Sequence, residues 1–316
     1  MMASNLKIFT KTDAPLSEMT SVIALGNFDG VHLAHRALLL EAVRLAKRLG
    51  DLQVGAFCFS GAPAAYLSGA SVPLLCPLEK RIEKILALGV DFVAVADFKD
   101  FCDVSAEDFI QNTLKGELRA VGAVCGFNNR FGKGGVGTPL LLREQFGEDA
   151  VVVLPEVKLN SDTVSSSAIR ALLADGKTET AAEMLGEPFS LTSRVVHGKR
   201  LGRALGFPTA NLLFPRGTVI PGRGIYATRV ITPDGVRRIG VSNVGIRPTI
   251  TDGSDTHAAN CETYIHDFCG DLYDKTLTVE FCRYLRAERK FDSVDALKEQ
   301  ISRDLTAAID YFSTIE

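Results

Sequence analysis

The first half of the chain alternates short apolar runs with longer segments whose apolar residues recur every three or four positions. Short continuous apolar runs are typical of strands buried on both faces, whereas the longer pattern is typical of amphipathic helices. The predicted strands are 21–26, 52–59, 91–96, 120–125 and 150–154, and the predicted helices are 35–49, 78–88, 105–114 and 165–173. Strands that alternate with helices in this way indicate a parallel sheet with crossover helices.

The pattern changes near residue 187, where helical periodicity gives way to short β-type segments separated by Gly and Pro. The predicted strands of this half are 190–197, 209–214, 225–231, 236–241, 261–266 and 275–283, a number and spacing typical of a small barrel. The segment 293–312 predicts one closing helix, with an apolar stripe at Val294, Leu297, Ile301, Leu305 and Ile309. We therefore predict an α/β domain over 1–187 and a β domain over 188–316.

The composition excludes several classes of protein. A chain of 316 residues can form two domains that each bury a core. Its 35 basic and 38 acidic residues give a net charge of −3, which disfavours a protein that coats nucleic acid or an anionic membrane. The seven cysteines include no CxxC pair, so neither a disulfide framework nor a zinc ribbon is indicated.

The sequence indicates neither a secretory signal nor a membrane-spanning segment. The first twenty residues are interrupted by charges, and no later run reaches the roughly 20 apolar residues of a membrane span. We expect a cytoplasmic protein with no nucleic-acid, membrane or obligate protein partner.

The segment GNFDGVHLAH, residues 26–35, follows the first predicted strand and runs into a helix. Gly26 and Gly30 allow the backbone to approach a ligand, and the start of the helix favours an anion. His32 and His35 are three residues apart, so they share a face of the first turn. Two imidazoles there could hold a triphosphate and stabilise the charge that grows on the α-phosphate during nucleotidyl transfer. A purely structural His pair remains an alternative, and a zinc site is less favoured because the spacing offers two ligands only.

A second candidate phosphate contact is the SSSAIR segment, residues 165–170, which places three hydroxyls and an arginine at a helix start. Serines in this position more often cap a helix than bind a nucleotide.

In the second half, VHGKRLGRALGFPTAN, residues 196–211, combines a glycine-rich basic loop with a strand. Such a loop could bind polyphosphate, although a solvated loop is the plainer interpretation. Thr209 and Asn211 are two residues apart, so on a strand their oxygens, which are hard ligands of the kind Mg²⁺ prefers, point to one side. A kinase also needs a carboxylate that orients the alcohol and accepts its proton, and Glu262 in CETYIHDF is the candidate. A solvent-facing charge is the alternative for Glu262.

These motifs together resemble the prokaryotic bifunctional riboflavin kinase/FMN adenylyltransferase (FAD synthetase) family over essentially the whole chain. The resemblance implies an N-terminal Rossmann-like nucleotidyltransferase domain and a C-terminal small β-barrel riboflavin kinase domain with a closing helix. It also implies ATP, riboflavin and FMN as ligands, with the flavins as substrates and products. Mg²⁺ would bind with ATP at Thr209 and Asn211, and Glu262 would be the catalytic base.

The resemblance assigns ligand contacts residue by residue. For the adenylyltransferase, the implied ATP contacts, which include the catalytic histidines, are Gly26, Asn27, Phe28, Asp29, Gly30, His32, His35, Ser165, Ser166, Ser167 and Arg170. For the kinase, the implied ATP contacts are Gly198, Lys199, Gly202, Arg203, Pro208, Thr209 and Asn211. The implied flavin contacts are Asn128 and Arg130 in the first domain, and Asn243, Arg247 and Arg286 in the second.

The chain departs from the family pattern mostly on the flavin side of the first domain. Ala34 replaces a glycine in HLAH, CFSGAP (58–63) lacks an acidic residue and a proline, and GVGT (135–138) lacks an Arg and an Asp. In GFNNRFG (126–132), Phe127 and Asn129 occupy unusual positions. Two alternatives follow: a riboflavin kinase whose first domain is inactive or takes another acceptor, and a non-catalytic flavin-binding regulatory protein.

Overall fold

The computed structural model describes residues 6–10, 19–198, 202, 206–246 and 259–315. Internal contacts divide the chain into two compact units, Met1–Ser166 and Ser167–Glu316. No helix within these described ranges is long and apolar enough to cross a membrane.

The first unit contains a six-stranded sheet in the order β1-β4-β3-β2-β5-β6. Its strands are β1 (Lys7–Thr10), β2 (Ser21–Leu25), β3 (Gln53–Phe59), β4 (Phe92–Ala96), β5 (Ala120–Gly126) and β6 (Val151–Leu154). β1 pairs antiparallel with β4, and the other neighbours are parallel. The five predicted strands and the parallel sheet are confirmed, whereas the edge strand β1 was not predicted.

Helices cover both faces of this sheet. They are α1 (Leu33–Arg48), α2 (Pro63–Ser68), α3 (Leu78–Ala87), α4 (Phe98–Phe101), α5 (Ala106–Asp108) and α6 (Pro139–Phe146), with a short hairpin of β7 (Lys158–Leu159) and β8 (Asp162–Thr163) near the end of the unit. Every residue of β2 and of β4 is buried, which explains their continuous apolar runs. Two separate apolar cores result, one on each face.

The predicted helix over 105–114 has an unexpected form. The Ser105 hydroxyl accepts a hydrogen bond from the Asp108 backbone N–H at 3.0 Å, as the capping pattern predicts. After α5, however, the helix continues as a π-helical segment over Phe109–Glu117. Apolar spacing does not distinguish this widened helix from a regular one.

The second unit contains a six-stranded antiparallel sheet in the order β10-β13-β12-β11-β14-β9. Its strands are β9 (Phe189–Arg194), β10 (Thr209–Leu213), β11 (Gly224–Ile231), β12 (Arg237–Ile246), β13 (Ala259–Ile265) and β14 (Thr276–Arg286). The Val196 N–H donates to the Asn211 carbonyl at 2.8 Å, so the chain after β9 meets β10 and curls the sheet into a barrel. All six predicted strands are confirmed.

Three helices accompany the barrel: α7 (Ser166–Ala174), α8 (Thr178–Leu185) and α9 (Val294–Ile315). The Gly222 N–H donates to the Leu173 carbonyl at 2.8 Å, which ties α7 to the barrel. Contacts therefore group α7 and α8 with the second unit, and the domain boundary near residue 187 remains a prediction.

The closing helix is confirmed, but its buried face is not centred on the predicted apolar stripe. The buried residues of α9 are Asp304, Ala308 and Phe312. Phe312 packs into the barrel core, whereas Val294, the first residue of the predicted stripe, is 55% exposed. The stripe is displaced because α9 also borders a cavity, which Leu297 and Ile301 line.

Candidate functional sites

The strand order places two glycine-containing motifs at one crevice. From β2 the chain proceeds to β3 and β4 on one side of the sheet, and β5 then starts the other side. The segments after β2 and β5, which are GNFDG and GFNNRFG, thus leave the carboxyl ends of adjacent strands where the winding direction changes. Ligands of open α/β sheets bind in such a crevice.

The segment Gly26–Gly30, called the nucleotide loop below, has a strained backbone. Phe28 has a left-handed φ of 52° and Gly30 a φ of 80°. The Phe28 side chain is fully buried, and an Asp29 carboxylate oxygen accepts from the Leu75 N–H at 2.9 Å. Because both side chains are engaged inside the protein, the loop presents chiefly its backbone to a ligand.

His32 and His35 lie together at the start of α1. His32 caps the helix, its Nδ1 accepting from the His35 backbone N–H at 3.4 Å, and the two rings stack at 3.6 Å between centroids. Burial, the neighbouring His32 and the positive charge of Arg81 hold the pKa of His35 well below its usual value. The His35 Nδ1 is buried without a hydrogen-bond partner among the described residues. A neutral imidazole with an unmade hydrogen bond therefore lies where a helix start favours an anion.

Ser166, the last residue of the first unit, contacts the nucleotide loop. The Ser166 hydroxyl donates to the Asp29 carbonyl at 3.0 Å, which joins the two motifs that the sequence singled out. Ser165 lies just before α7, while Ser167 and Arg170 lie on its first turns. Their contacts with a nucleotide remain predictions.

A cavity of about 350 Å³, the aromatic cavity, opens at the carboxyl edge of the sheet. Its wall includes Leu25, Gly26, Asn27, Phe57, Phe59, Pro63, Leu67, Phe98, Phe101, Cys102, Val104, Phe109, Asn129, Arg130, Phe131, Gly132, Gly134 and Gly135. Phe57 meets Phe109, and Phe59 meets Phe98, edge to face with centroids 5.1 Å apart. Its size and aromatic wall suit a flat, drug-sized ring system.

The polar groups of this cavity differ partly from those predicted. Arg130 lines it, whereas Asn128 is exposed on the adjacent turn and is not among its lining residues. Asn129 lines the wall instead, and its Nδ2 is buried without a hydrogen-bond partner in the described part of the chain. In the sequence, Asn129 stands out only as an unusual residue, because its direction into the cavity depends on the turn after β5.

Glycines fix the loop that closes the aromatic cavity. A Cβ on Gly132 would lie 2.6 Å from the Ala106 backbone, and one on Gly137 would lie 2.5 Å from the Phe131 ring. The altered family segments also retain local structural roles, since Pro63 starts α2 and Thr138 caps α6. The cavity therefore forms although the segments CFSGAP and GVGT depart from the family pattern.

In the barrel, the predicted kinase residues form a row across three strands. Asn211 on β10 is the register partner of Glu262 on β13, and Glu262 is the partner of Asn243 on β12. Thr209 is likewise the partner of Tyr264. Residues directly opposite in an antiparallel ladder lie on one face, so the prediction that Thr209 and Asn211 share a face is confirmed.

The polar groups of this row are not fully paired. A Glu262 carboxylate oxygen accepts from the Asn260 amide at 3.1 Å, and Glu262 itself is exposed. The Asn243 Oδ1 is buried without a hydrogen-bond partner among the described residues. The row thus presents a carboxylate and two amides to a ligand.

Two cavities meet at Thr209. The turn cavity, about 360 Å³, is lined by Val195, Pro208, Thr209, Ala210, Thr263, Ile265 and the segment 268–273. The helix cavity, about 340 Å³, is lined by Gly202, Phe207, Thr209, Ile225, Val241, Asn243, Glu262, Tyr264, Arg286, Glu288, Arg289, Phe291, Leu297, Ile301 and Asp304. Thr209 borders both, whereas Glu262 borders the helix cavity. This arrangement allows a phosphate donor on one side and an alcohol on the other.

Two glycines of the basic loop pack against the row. A Cβ on Gly198 would lie 2.5 Å from the Asn211 Nδ2, and one on Gly202 would lie 2.4 Å from the Phe207 carbonyl oxygen. Gly202 is also next to the Thr209 hydroxyl, at 3.2 Å from the position of such a Cβ. The predicted contacts Lys199, Arg203 and Arg247 lie outside the described residues.

Arg286 lines the helix cavity, but its guanidinium is held by a buried carboxylate. Its Nε and Nη2 donate to the two Asp304 oxygens at 2.9 and 2.7 Å. Asp304 is 5% exposed and also accepts from the Gln300 amide. Asp304 was not predicted, although a carboxylate beside Leu305 and Ala308 on the packed side of α9 was an available signal.

The donor set of the barrel row suits Mg²⁺ bound with a nucleotide. No group of three or more His, Cys, Asp or Glu is arranged for a metal ion in the described ranges. Thr209, Asn211 and Glu262 instead offer a hydroxyl, an amide and a carboxylate oxygen on one face. Mg²⁺ takes few protein ligands of this hard kind and completes its shell with phosphate oxygens and water.

Known protein families match both halves of the chain. The riboflavin kinase (flavokinase) family model matches residues 185–312, and the FAD synthetase family model matches residues 15–168. Proteins named bifunctional riboflavin kinase/FMN adenylyltransferase are similar to the chain in Listeria monocytogenes (33% identity, 95% of each chain), Bacillus subtilis (34%, 93% of each) and Escherichia coli K12 (35%, 92% of each).

A solved structure also matches the whole fold. The crystal structure named as a macrolide-efflux protein from Streptococcus pneumoniae has 28% identity and a TM-score of 0.84, covering 95% of this chain and 96% of its own. A shared fold does not transfer a named activity, so the sequence relatives and the family models decide the family. On that evidence, the chain belongs to the bifunctional riboflavin kinase/FMN adenylyltransferase family.

Proposed function

We propose that this chain converts riboflavin to FMN in its second unit and FMN to FAD in its first. The observation that carries the proposal is the row of Asn211, Glu262 and Asn243 beside Thr209, where two cavities meet. A phosphoryl donor and an alcohol acceptor need such neighbouring compartments, with a carboxylate on the acceptor side.

In the kinase reaction, Glu262 orients the ribityl 5′-hydroxyl of riboflavin and accepts its proton as the oxygen attacks the γ-phosphorus of ATP. The bond between the γ-phosphorus and its bridging oxygen breaks, and ADP leaves. Thr209 and Asn211 would hold Mg²⁺ together with the phosphates, and the bound ion would supply positive charge that offsets the charge on the transferred group. Gly198 and Gly202 bring the loop backbone against these residues, while Lys199 and Arg203 are the proposed phosphate contacts.

In the adenylyl transfer, the start of α1 and the stacked His32 and His35 hold the triphosphate of ATP. An oxygen of the FMN phosphate attacks the α-phosphorus, and pyrophosphate leaves without a covalent enzyme intermediate. His35 is neutral in the free protein, so it can hydrogen-bond to a phosphate oxygen or take up a proton when the triphosphate binds. Either response stabilises charge that develops on the α-phosphate.

The aromatic cavity is the proposed site of the FMN ring system, with Arg130 on its wall. The altered CFSGAP and GFNNRFG segments favour a second candidate, a riboflavin kinase whose first unit takes a different acceptor or none. The intact aromatic wall supports the main proposal, because a flat tricyclic ring needs such a wall.

We also propose a domain boundary near residue 187 and a cytoplasmic location. The kinase family model starts at residue 185, which supports a boundary near 187. All seven cysteines are free thiols, as expected in a reducing compartment, and this supports a cytoplasmic enzyme.

Two labelling experiments test the two activities separately. Riboflavin with ATP labelled on the γ-phosphate should give labelled FMN, and FMN with ATP labelled on the α-phosphate should give labelled FAD. Label in FMN alone would favour the second candidate, whereas no label in either product would contradict the proposal.

A further inference from the structure

The first unit contains a fully buried arginine, Arg81, to which the proposed mechanism assigns no role. Arg81 lies on α3 at 0% exposure, among the apolar residues Ile82 and Ile85 on the side facing the core. A buried charge is costly unless it is hydrogen-bonded, and a hydrophobic residue would pack this helix at lower cost. The position of its guanidinium therefore suggests a role beyond packing.

The guanidinium joins the nucleotide loop, which follows β2, to the end of the adjacent parallel strand β3. Nη1 donates to the carbonyl oxygens of Asn27 and Phe59, each at 2.9 Å, and Nη2 donates to the Ser60 carbonyl at 3.1 Å. The Asn27 amide, in the orientation that satisfies it, donates to the Phe59 and Gly61 carbonyls at 3.2 Å. The nucleotide loop is thereby fixed to the segment after β3.

Both ends of this connection belong to the proposed site. Asn27 and Phe59 line the aromatic cavity, and Asn27 is also part of the nucleotide loop. A shift of one segment against the other would change the distance between the triphosphate and the acceptor phosphate. Misplacement by about 1 Å can cost about a hundredfold in rate.

The charge of Arg81 also reaches the histidine pair. Its acceptors are neutral carbonyl groups, so the hydrogen bonds leave the positive charge in place. Together with burial and His32, that charge holds the pKa of His35 below its usual value. A polyphosphate bound at the start of α1 would bring negative charge to this region.

We propose that Arg81 is a positioning residue for adenylyl transfer, which clamps Asn27 to the Phe59–Ser60 segment and supplies fixed positive charge to the nucleotide site. The inference rests on the proposed adenylyltransferase function. It predicts two separable effects, one on acceptor position through the clamp and one on nucleotide affinity through the charge.

Arg81→Lys and Arg81→Met separate these effects in the full chain. Lys80→Met is the matched control, because Lys80 is the neighbouring residue on α3, with its side chain 51% exposed and paired with Glu83. Calorimetric titration with α,β-methylene-ATP counts nucleotide sites, and steady-state assays give kcat and KM for FAD formation. Riboflavin phosphorylation by the same sample reports on the other unit, and thermal unfolding reports on folding.

Wild type and Lys80→Met should bind two nucleotides per chain. Arg81→Met should weaken one of the two sites at least about tenfold and lower FAD formation at least as much, with kinase activity unchanged. Arg81→Lys should keep both nucleotide sites but raise the KM for FMN, because a lysine retains the charge and loses the forked hydrogen bonds.

Three outcomes separate the proposed role of Arg81 from the proposed adenylyl transfer itself. Wild-type affinity and wild-type FAD formation in Arg81→Met would overturn the inference. If Arg81→Met fails to unfold cooperatively, a wild-type KM for FMN in Arg81→Lys would overturn it instead. If the wild type binds two nucleotides but forms no FAD, the proposed adenylyl transfer fails, while loss of one site in Arg81→Met would still support the charge role of Arg81.

Discussion

Asn211 and Glu262 are register partners on β10 and β13, so the amide proposed to hold the metal and the carboxylate proposed as base lie side by side on one face of the barrel. Replacing Glu262 by Gln keeps the shape of the side chain and removes the proton acceptor. We expect FMN formation to fall by about 10²- to 10⁴-fold. FAD formation from added FMN should be unchanged in the same sample, and equal loss of both activities would contradict the role of Glu262.

Thr209 should control the Mg²⁺ requirement of the kinase. Thr209→Val retains the shape of the side chain but removes its oxygen, and we expect the apparent affinity for Mg²⁺ with ATP to fall by about tenfold to a hundredfold. The matched control is Thr192→Val, at an exposed position of β9 in the same barrel. Initial rates over a Mg²⁺ titration give the result. Overlapping curves for the two variants would exclude Thr209 as a ligand.

Gly198 should not accept a side chain. Its added Cβ would lie 2.5 Å from the Asn211 Nδ2, so Gly198→Ala must displace either the loop or Asn211. Overpacking of this kind costs about 1–3 kcal/mol, and we expect the kinase kcat/KM to fall by about tenfold. FAD formation from FMN is the internal reference. A kinase with wild-type kcat/KM would show that Asn211 can move without consequence.

The pH dependence of stability should report the state of His35. Burial, His32 and Arg81 lower its folded pKa below the ordinary value of about 6.5. As the pH falls from that value through the lowered pKa, the unfolded chain binds a proton that the folded chain does not, so the first unit loses stability. His35→Asn should therefore lose less stability than wild type between pH 7 and pH 5. Calorimetric unfolding at several pH values provides the comparison. Parallel curves of stability against pH for the two proteins would refute His35 as the origin of the pH dependence.

The Arg286–Asp304 pair should be structural rather than ligand-binding. Asp304→Asn leaves a largely buried guanidinium without its charged partner, and we expect a loss of about 3 kcal/mol in unfolding free energy. The double variant, which combines Arg286→Met with Asp304→Leu, should recover most of that loss. Denaturant unfolding of the three proteins measures it. If the double variant is no more stable than Asp304→Asn, Arg286 has a separate role at the cavity.

Most of the secondary structure could be predicted because the pattern is strong where strands are wholly buried. β2 and β4 are short, strongly apolar runs, and Gly26 marks the point where β2 ends. The kinase row was also accessible, since a two-residue spacing on a strand fixes Thr209 and Asn211 to one face.

The missed features depend on tertiary contacts that no local pattern records. Arg81 looks like an exposed charge of an amphipathic helix, and only the positions of Asn27 and Phe59 show why it is buried. Asn129 enters the aromatic cavity through the turn after β5, whereas the neighbouring Asn128, predicted as the contact, is exposed. The buried face of α9 differs from the predicted stripe because Leu297 and Ile301 line the helix cavity, while Asp304 is buried in its pairing with Arg286.

One measurement tests most directly the claim that a single chain carries both activities. Purified protein is incubated with ATP and Mg²⁺, first with riboflavin and then with FMN, and the flavins are resolved by chromatography over time. Dual activity would give FMN followed by FAD from riboflavin, and FAD from FMN. FMN as the final product of the first reaction, with no product from the second, would contradict it.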